Sequence, residues 1–294
     1  MKKRWMAIGL AVLAIVMLIS IKSLSEEKTS VKAEQTKEED LQLPSKEELQ
    51  NKMINSIDYF QTASVSFDMY SKKDQERTHV EGEVDLKNHR SNVQMTTEKN
   101  GKVNDELTTE EDPSAYLETY PTEKAYRLDR NEEKLTDEDY AEAQRDFKED
   151  CPTVASRYST YQGQLQVDYR PAPANLAAAS EVLFAQETAL GFLKDYSQWR
   201  IDGREKLLDR EVIRVSGNLS KDYQDKLGAT TFTLWIDEKT GAMLKYEGYD
   251  NQQKVVDYTH TEAIQFDQTK TKKMLKSQTI TPPKGYHALD LPTK

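Results

Sequence analysis

The feature that most constrains this chain is a period-two alternation of apolar and polar residues that returns segment after segment. Val65, Phe67 and Met69 share one face of an extended stretch, with Ser64, Ser66 and Asp68 on the other. Val80, Gly82, Val84 and Leu86 repeat the period, as do Val93 and Met95. Successive side chains of a strand point to opposite faces, so these segments suit a sheet with one buried and one wet face. Asn100-Gly101 predicts a hairpin between strands ending near Thr97 and resuming at Val103. Two more strands are expected around Tyr116-Leu117 and Tyr126-Leu128, with a turn at Pro121.

The last third repeats the theme. Val212–Val215, Thr231–Ile236, Met243–Tyr249 and Val255–Phe266 read as strands, with a short helix or excursion over Ser220–Leu227. In the turn Asp237-Glu238-Lys239-Thr240-Gly241, Asp237 can accept bonds from the backbone N–H groups that follow. Gly241 supplies the positive φ that closes the hairpin.

Three helices interrupt the strands. Ser45-Lys46-Glu47-Glu48 is a capping-box pattern, and Leu49, Met53, Ile57 and Phe60 follow at helical spacing, predicting a helix over 45–60. Thr136-Asp137-Glu138 opens a charged helix to about Lys148, with Leu135, Tyr140, Ala143 and Phe147 as its apolar side. Beyond one strand at Gln164–Tyr169 and a Pro-Ala-Pro turn at 171–173, Ser180 is expected to cap a third helix. That helix aligns Val182, Ala185, Ala189 and Phe192, with Leu183, Leu190 and Leu193 beside them.

The N-terminus carries an address. Lys2-Lys3-Arg4 precede an uncharged run, Trp5–Ile21, which as a helix spans about 26 Å, close to a hydrocarbon core of roughly 30 Å. Positive charge ahead of such a run keeps that end in the cytoplasm and exports the rest. Val31-Lys32-Ala33 has cleavage-site residues but lies too far on, which favours an uncleaved anchor in the plasma membrane over a secreted product. The expected organisation is a signal-anchor at 1–24, a flexible polar stalk at 25–44, and an extracytoplasmic β-rich domain at 45–294 with a helical insertion near 130–180.

Charge narrows the partners. The chain carries a formal net charge of −10, and because residues 1–24 are basic, the remainder stands at −14. An acidic domain repels phosphate polymers, so nucleic acid is not an expected partner. Cys151 is the only cysteine, so no internal disulfide and no thiolate metal cage can form. It is read as a half-buried small side chain.

No catalytic motif emerges. His79, His89, His260 and His287 show no metal-ligand spacing, and there is no nucleophile elbow, phosphate loop or dinucleotide fingerprint. Asp105-Glu106, Glu110-Glu111-Asp112 and Asp137-Glu138-Asp139 read as solvated loops or helix starts. Calcium at 104–112 is conceivable, but the spacing of an EF-hand is absent. No catalytic residue, cofactor or metal is therefore assigned. If the sheet is curved, its apolar face could hold something elongated and greasy, lined by Phe67, Met69, Val84, Leu86, Val93, Met95, Leu234 and Ile236. The alternative is that these residues only touch the helices.

The opening helix running into a meander, the stretch from Val212 through Phe232–Asp237 to Thr240–Lys245, and the closing Pro282-Pro283-Lys284-Gly285-Tyr286 together carry a resemblance. They resemble the superfamily of periplasmic lipoprotein carriers (LolA- and LolB-like) and RseB-type sigma-factor regulators, in a Gram-positive, membrane-anchored version. Region 130–180 departs from that pattern. The resemblance implies an α+β fold, a curved antiparallel half-barrel covered by helices, which the N-terminal apolar run is expected to precede with one transmembrane helix. It also implies an apolar cavity for acyl chains and no catalysis. Three functions stay open: a tethered binding or sensing module for lipid or envelope ligands, a scaffold docking another envelope protein, and a hydrolase with an unrecognised site.

Overall fold

The computed structural model describes residues 42–130, 136–268 and 279–289. The chain divides into two units, Met1–Gln42 and Leu43–Lys294, and every described helix and strand belongs to the second. The apolar run Trp5–Ile21 and most of the stalk lie outside the described residues. Among the described residues no helix is long and apolar enough to cross a membrane.

The second unit opens with α1 (Lys46–Ile54). Its capping box forms as read: Ser45 Oγ accepts from the Glu48 amide at 3.2 Å, and Glu48 Oε2 accepts from the Ser45 amide at 2.8 Å. The helix stops short of Phe60. Asn55 leaves helical geometry and a 3-10 turn follows at Ser56–Asp58, so Ile57 and Phe60 reach the core from irregular backbone.

Six strands follow in meander: β1 (Thr62–Ser71), β2 (Glu76–Asp85), β3 (Arg90–Lys99), β4 (Lys102–Asp112), β5 (Ala115–Tyr120) and β6 (Ala125–Arg130). Asn100 and Gly101 both take positive φ and close the β3–β4 hairpin. The insertion then contributes α2 (Asp137–Asp150) and a two-stranded ribbon of β7 (Tyr158–Tyr161) and β8 (Gln164–Val167). The reading of a single strand at Gln164–Tyr169 missed β7.

The predicted helix from Ser180 is two short ones, α3 (Ser180–Leu183) and α4 (Gln186–Phe192), broken where Phe184 leaves helical φ/ψ. Ser180 itself is helical, and its hydroxyl donates to the Ala177 carbonyl instead of capping. Past the break Gln186 clasps the backbone of Arg170, its amide accepting from Arg170 N and donating to Arg170 O, both at 2.9 Å.

A second meander closes the chain: β9 (Trp199–Leu207), β10 (Arg210–Asn218), α5 (Lys221–Leu227), β11 (Thr231–Asp237), β12 (Met243–Tyr249) and β13 (Val255–Phe266). The short β14 (His287–Ala288) follows it. The β11–β12 turn is as expected. Asp237 Oδ1 accepts from the Thr240 amide and hydroxyl, each at 2.7 Å, and Gly241 sits at φ +79°.

All the described strands but the ribbon form one open sheet in the order β14-β6-β5-β4-β3-β2-β1-β13-β12-β11-β10-β9. It is antiparallel except where β14 lies parallel to β6. The two meanders meet at β1 and β13, with Ala63 opposite Phe266 and Ser71 opposite Asp257.

One face of the sheet carries helices. Leu49 and Met53 of α1 and Ala189 and Leu190 of α4 pack on Ile213, Val215, Leu234 and Ile236. Val182 and Leu183 of α3 pack on Val65, Phe67, Val80 and Val93. Each fully buried side chain of this kind stabilises by about 1.5–3 kcal/mol. By contrast α2 buries none of its residues. Its expected apolar side is not core: Tyr140 stacks on His89, and Phe147 lies under the Arg157 guanidinium.

Candidate functional site

Where α3, α4 and α5 meet the middle of the sheet, a cleft of about 300 Å³ remains open. Strand register builds its floor. Tyr246 pairs with Thr259, Thr259 with Met69 and Met69 with Thr78, so four side chains form one row across β12, β13, β1 and β2. Two residues along each strand, on the same face, a second row runs Gly248, Asp257, Ser71 and Glu76.

Gly248 is needed there, because a Cβ would stand 2.5 Å from the Tyr246 hydroxyl, which lies over it. The Tyr246 side chain is only 6% exposed, and its hydroxyl faces Asp257 without a well-formed hydrogen bond. Phe192 of α4 meets the rings of Tyr223 and Tyr246 edge-on, at 4.9 and 5.5 Å between centroids. Leu227 and Met243 complete the apolar lining.

The helices add acid to this apolar floor. Glu181 and Glu187 come from α3 and α4, facing Asp257, and Lys226 of α5 is the one cation among the described lining residues. Burial pushes the Asp257 carboxyl up to about 6, with Tyr246 and Lys226 opposing and Asp74 adding to the rise. Burial likewise raises Glu181, helped by Glu187 and opposed by Lys226. A carboxyl in low dielectric with no paired cation resists ionisation.

Among the described residues the fully buried acids Asp237 and Asp68 are matched, as is the more exposed Asp58, whereas the half-buried Glu110 and Glu111 are raised by burial without a paired cation. Arg210 Nε donates to Asp237 at 2.5 Å, Arg170 holds Asp58, and Arg77 and His79 flank Asp68. Among the described residues, Glu181, Glu187 and Asp257 have no cation within 4 Å. The cleft is therefore apolar, acidic and electrostatically incomplete.

A wider depression of about 680 Å³ lies on the opposite face over β9–β12, around Asp202, Arg214, Trp235 and Glu247. Its charges satisfy one another. Arg214 pairs with Asp202 and Glu205, while Lys245 and His260 both pair with Glu247. Self-paired ions on an open face are a solvated surface, so the cleft is the stronger candidate.

Of the eight residues read from the sequence as possible cavity lining, Met69 borders the cleft. Phe67, Val84, Leu86 and Val93 are buried in the cluster with α3, and Met95 is half-buried beside them. Leu234 and Ile236 are buried beneath α1 and α4. Sequence reading missed Tyr246, Asp257, Glu181, Glu187 and Phe192 as cleft residues. Acids interleaved with the apolar stripe at 180–193 were the available signal.

Among the described residues no histidine lines the cleft. His79, His260 and His89 sit in polar pairs elsewhere, with Asp68, Glu247 and the Pro173 carbonyl. Among the described residues no three potential ligands gather to hold a metal. The acidic run at 104–112 is strand, not loop, so Glu110 and Glu111 point to opposite faces and cannot converge on one ion.

No protein-family model matches this sequence, and no curated protein does. Solved structures are similar. MucB of Pseudomonas aeruginosa, in its complex with MucA, aligns at a TM-score of 0.38 and 11% identity, over 79% of this chain and 60% of that one. A domain of outer membrane lipoprotein-sorting type from Vibrio parahaemolyticus aligns at 0.27 and 10%, over 76% and 92%. The lipoprotein LppX of Mycobacterium tuberculosis aligns at 0.34 and 7%, over 75% and 97%. The chain resembles lipoprotein-sorting and MucB structures. With TM-scores below 0.5, the likeness carries nothing about ligand or partner.

Proposed function

We propose that this chain is a non-catalytic binding or sensing module, tethered to the outer side of the plasma membrane, whose cleft receives the apolar part of a lipid-like ligand and whose state is read by an envelope partner. The observation that carries this reading is the open cleft itself. Helices α3 and α4 seal the sheet on either side of it, yet Met69, Phe192, Leu227 and Met243 face a void of about 300 Å³. That is the lower end of ligand-pocket size, with the apolar lining and few polar groups such sites have. Tethering rests on Lys2-Lys3-Arg4 ahead of Trp5–Ile21.

The test uses the full chain in lipid nanodiscs with 13C-labelled methionine methyls, titrated with decanol. The Met69 and Met243 methyls shift, whereas Met53, buried under α1, does not. Absence of any shift at Met69 and Met243 overturns the reading. A phosphatase reporter fused after Lys294 should be active, and an inactive one overturns the tethered orientation.

One observation favours a hydrolytic reading instead. Asp257 and Glu181 both keep protons more readily than ordinary carboxyls, as a general acid must. On that reading Asp257→Asn abolishes turnover and leaves decanol binding intact. On the binding reading there is no turnover to lose.

A further inference from the structure

We propose that the cleft selects single-chain amphiphiles whose apolar chain ends in an ammonium group. The inference rests on the binding reading and adds the head group. Its first support is contrast. The buried Asp237 and Asp68 each have an arginine within hydrogen-bonding range and the fourth cleft acid, Glu76, pairs with Lys99, while Glu181, Glu187 and Asp257 have no cation at that range.

Its second support is the Tyr246 hydroxyl, buried beneath the cleft, which faces the Asp257 carboxyl without a well-formed hydrogen bond. A buried polar atom left unpaired is costly, and a donor brought in by a ligand removes that cost. Lys226 does not fill this role: it acts on both Glu181 and Asp257 without reaching bonding distance of either.

Geometry places both halves of such a ligand. The chain lies on Met69, Phe192, Leu227 and Met243, and the head lies between Glu181 of α3 and Asp257 of β13, bonding carboxylate oxygens with its N–H groups. The Tyr223 ring borders the same space and suits a cation. An anionic head would meet three like charges there.

The experiment repeats the methionine-methyl titration of the full chain in nanodiscs with decylammonium, decanol and decanoate, each below its micelle concentration. Decylammonium should bind at least tenfold more tightly than the other two. In Glu181→Gln with Asp257→Asn, decylammonium should weaken to the level of decanol while decanol itself is unchanged, with the Met53 methyl reporting an intact core. If that variant does not fold, the tenfold preference of the unaltered chain decides alone.

Equal affinity for all three probes overturns the head-group inference and leaves the binding reading standing. No shift with any probe overturns both. A lysine-bearing leucine tripeptide that binds more tightly than decylammonium overturns the assigned ligand class.

Discussion

Arg170 grips Asp58 with both terminal guanidinium nitrogens, Nη1 to Oδ2 at 2.9 Å and Nη2 to Oδ1 at 2.8 Å. Arg170 is only 4% exposed and also reaches Asn55 Oδ1 at 3.0 Å and Gln144 Oε1 at 2.7 Å. One side chain thus fastens the 3-10 turn after α1, the insertion and α2. Asp58 is partly exposed and keeps Lys148 at 3.2 Å, so removing Arg170 strips hydrogen bonds from Asn55 and Gln144 rather than stranding a buried charge. Arg170→Ala should lose about 1–3 kcal/mol in urea unfolding. Arg170→Lys should recover little, since an ammonium cannot fork across a carboxylate.

Gly241 predicts a backbone effect. A Cβ there would stand 2.6 Å from the Lys52 carbonyl oxygen, at a φ of +79° that L residues avoid. Gly241→Ala should cost about 1–3 kcal/mol, read as a lower urea midpoint with an unchanged m-value.

Asp257 gives a pH signature. Burial raises its carboxyl to about 6, faced by Tyr246, Asp74 and Lys226. A raised carboxyl means that the folded state holds the proton longer than the unfolded one. Its contribution is present below about pH 4 and is lost as pH rises through about 6. Asp257→Asn should therefore remove a downward slope in stability across pH 4–6. It should leave the variant about 1–2 kcal/mol more stable than the parent at pH 7, with solvent screening discounted.

The insertion helix predicts local opening. The rings of His89 and Tyr140 stack 3.6 Å apart and only 9° from parallel, in a helix that buries nothing. Tyr140→Ala should let trypsin cut after Arg145 and Lys148 roughly tenfold faster, with global stability changed by under about 1 kcal/mol. A large loss in the global unfolding midpoint would mean that α2 belongs to the cooperative core.

Much of this architecture was legible in the residues, and the reasons differ from place to place. Val65-Ser66-Phe67-Asp68 and Asn100-Gly101 are local signals whose outcome depends on nothing distant, and β1 and the β3–β4 hairpin form accordingly. Strand β9 went unread because Trp199, Ile201 and Leu207 alternate around Gly203, where φ of +145° marks a register shift. The helix at 180–193 broke because Gln186 satisfies the backbone of Arg170, a partner that no local pattern announces. The cleft was invisible for a similar reason. It depends on which strands lie side by side, and Met69, Thr259 and Tyr246 become neighbours only once β1 lies against β13.

That seam also sets an order of events. Ala63 finds its partner Phe266 about 200 residues further on, so the central strand stays half-paired until nearly all of the polypeptide has arrived. A chain delivered from its N-terminus would hold an open, adhesive β1 edge throughout delivery, exposed to any stray strand nearby. Slowing delivery of the chain up to Phe266 should therefore lower the yield of native protein more than slowing delivery beyond it, because the seam is complete there.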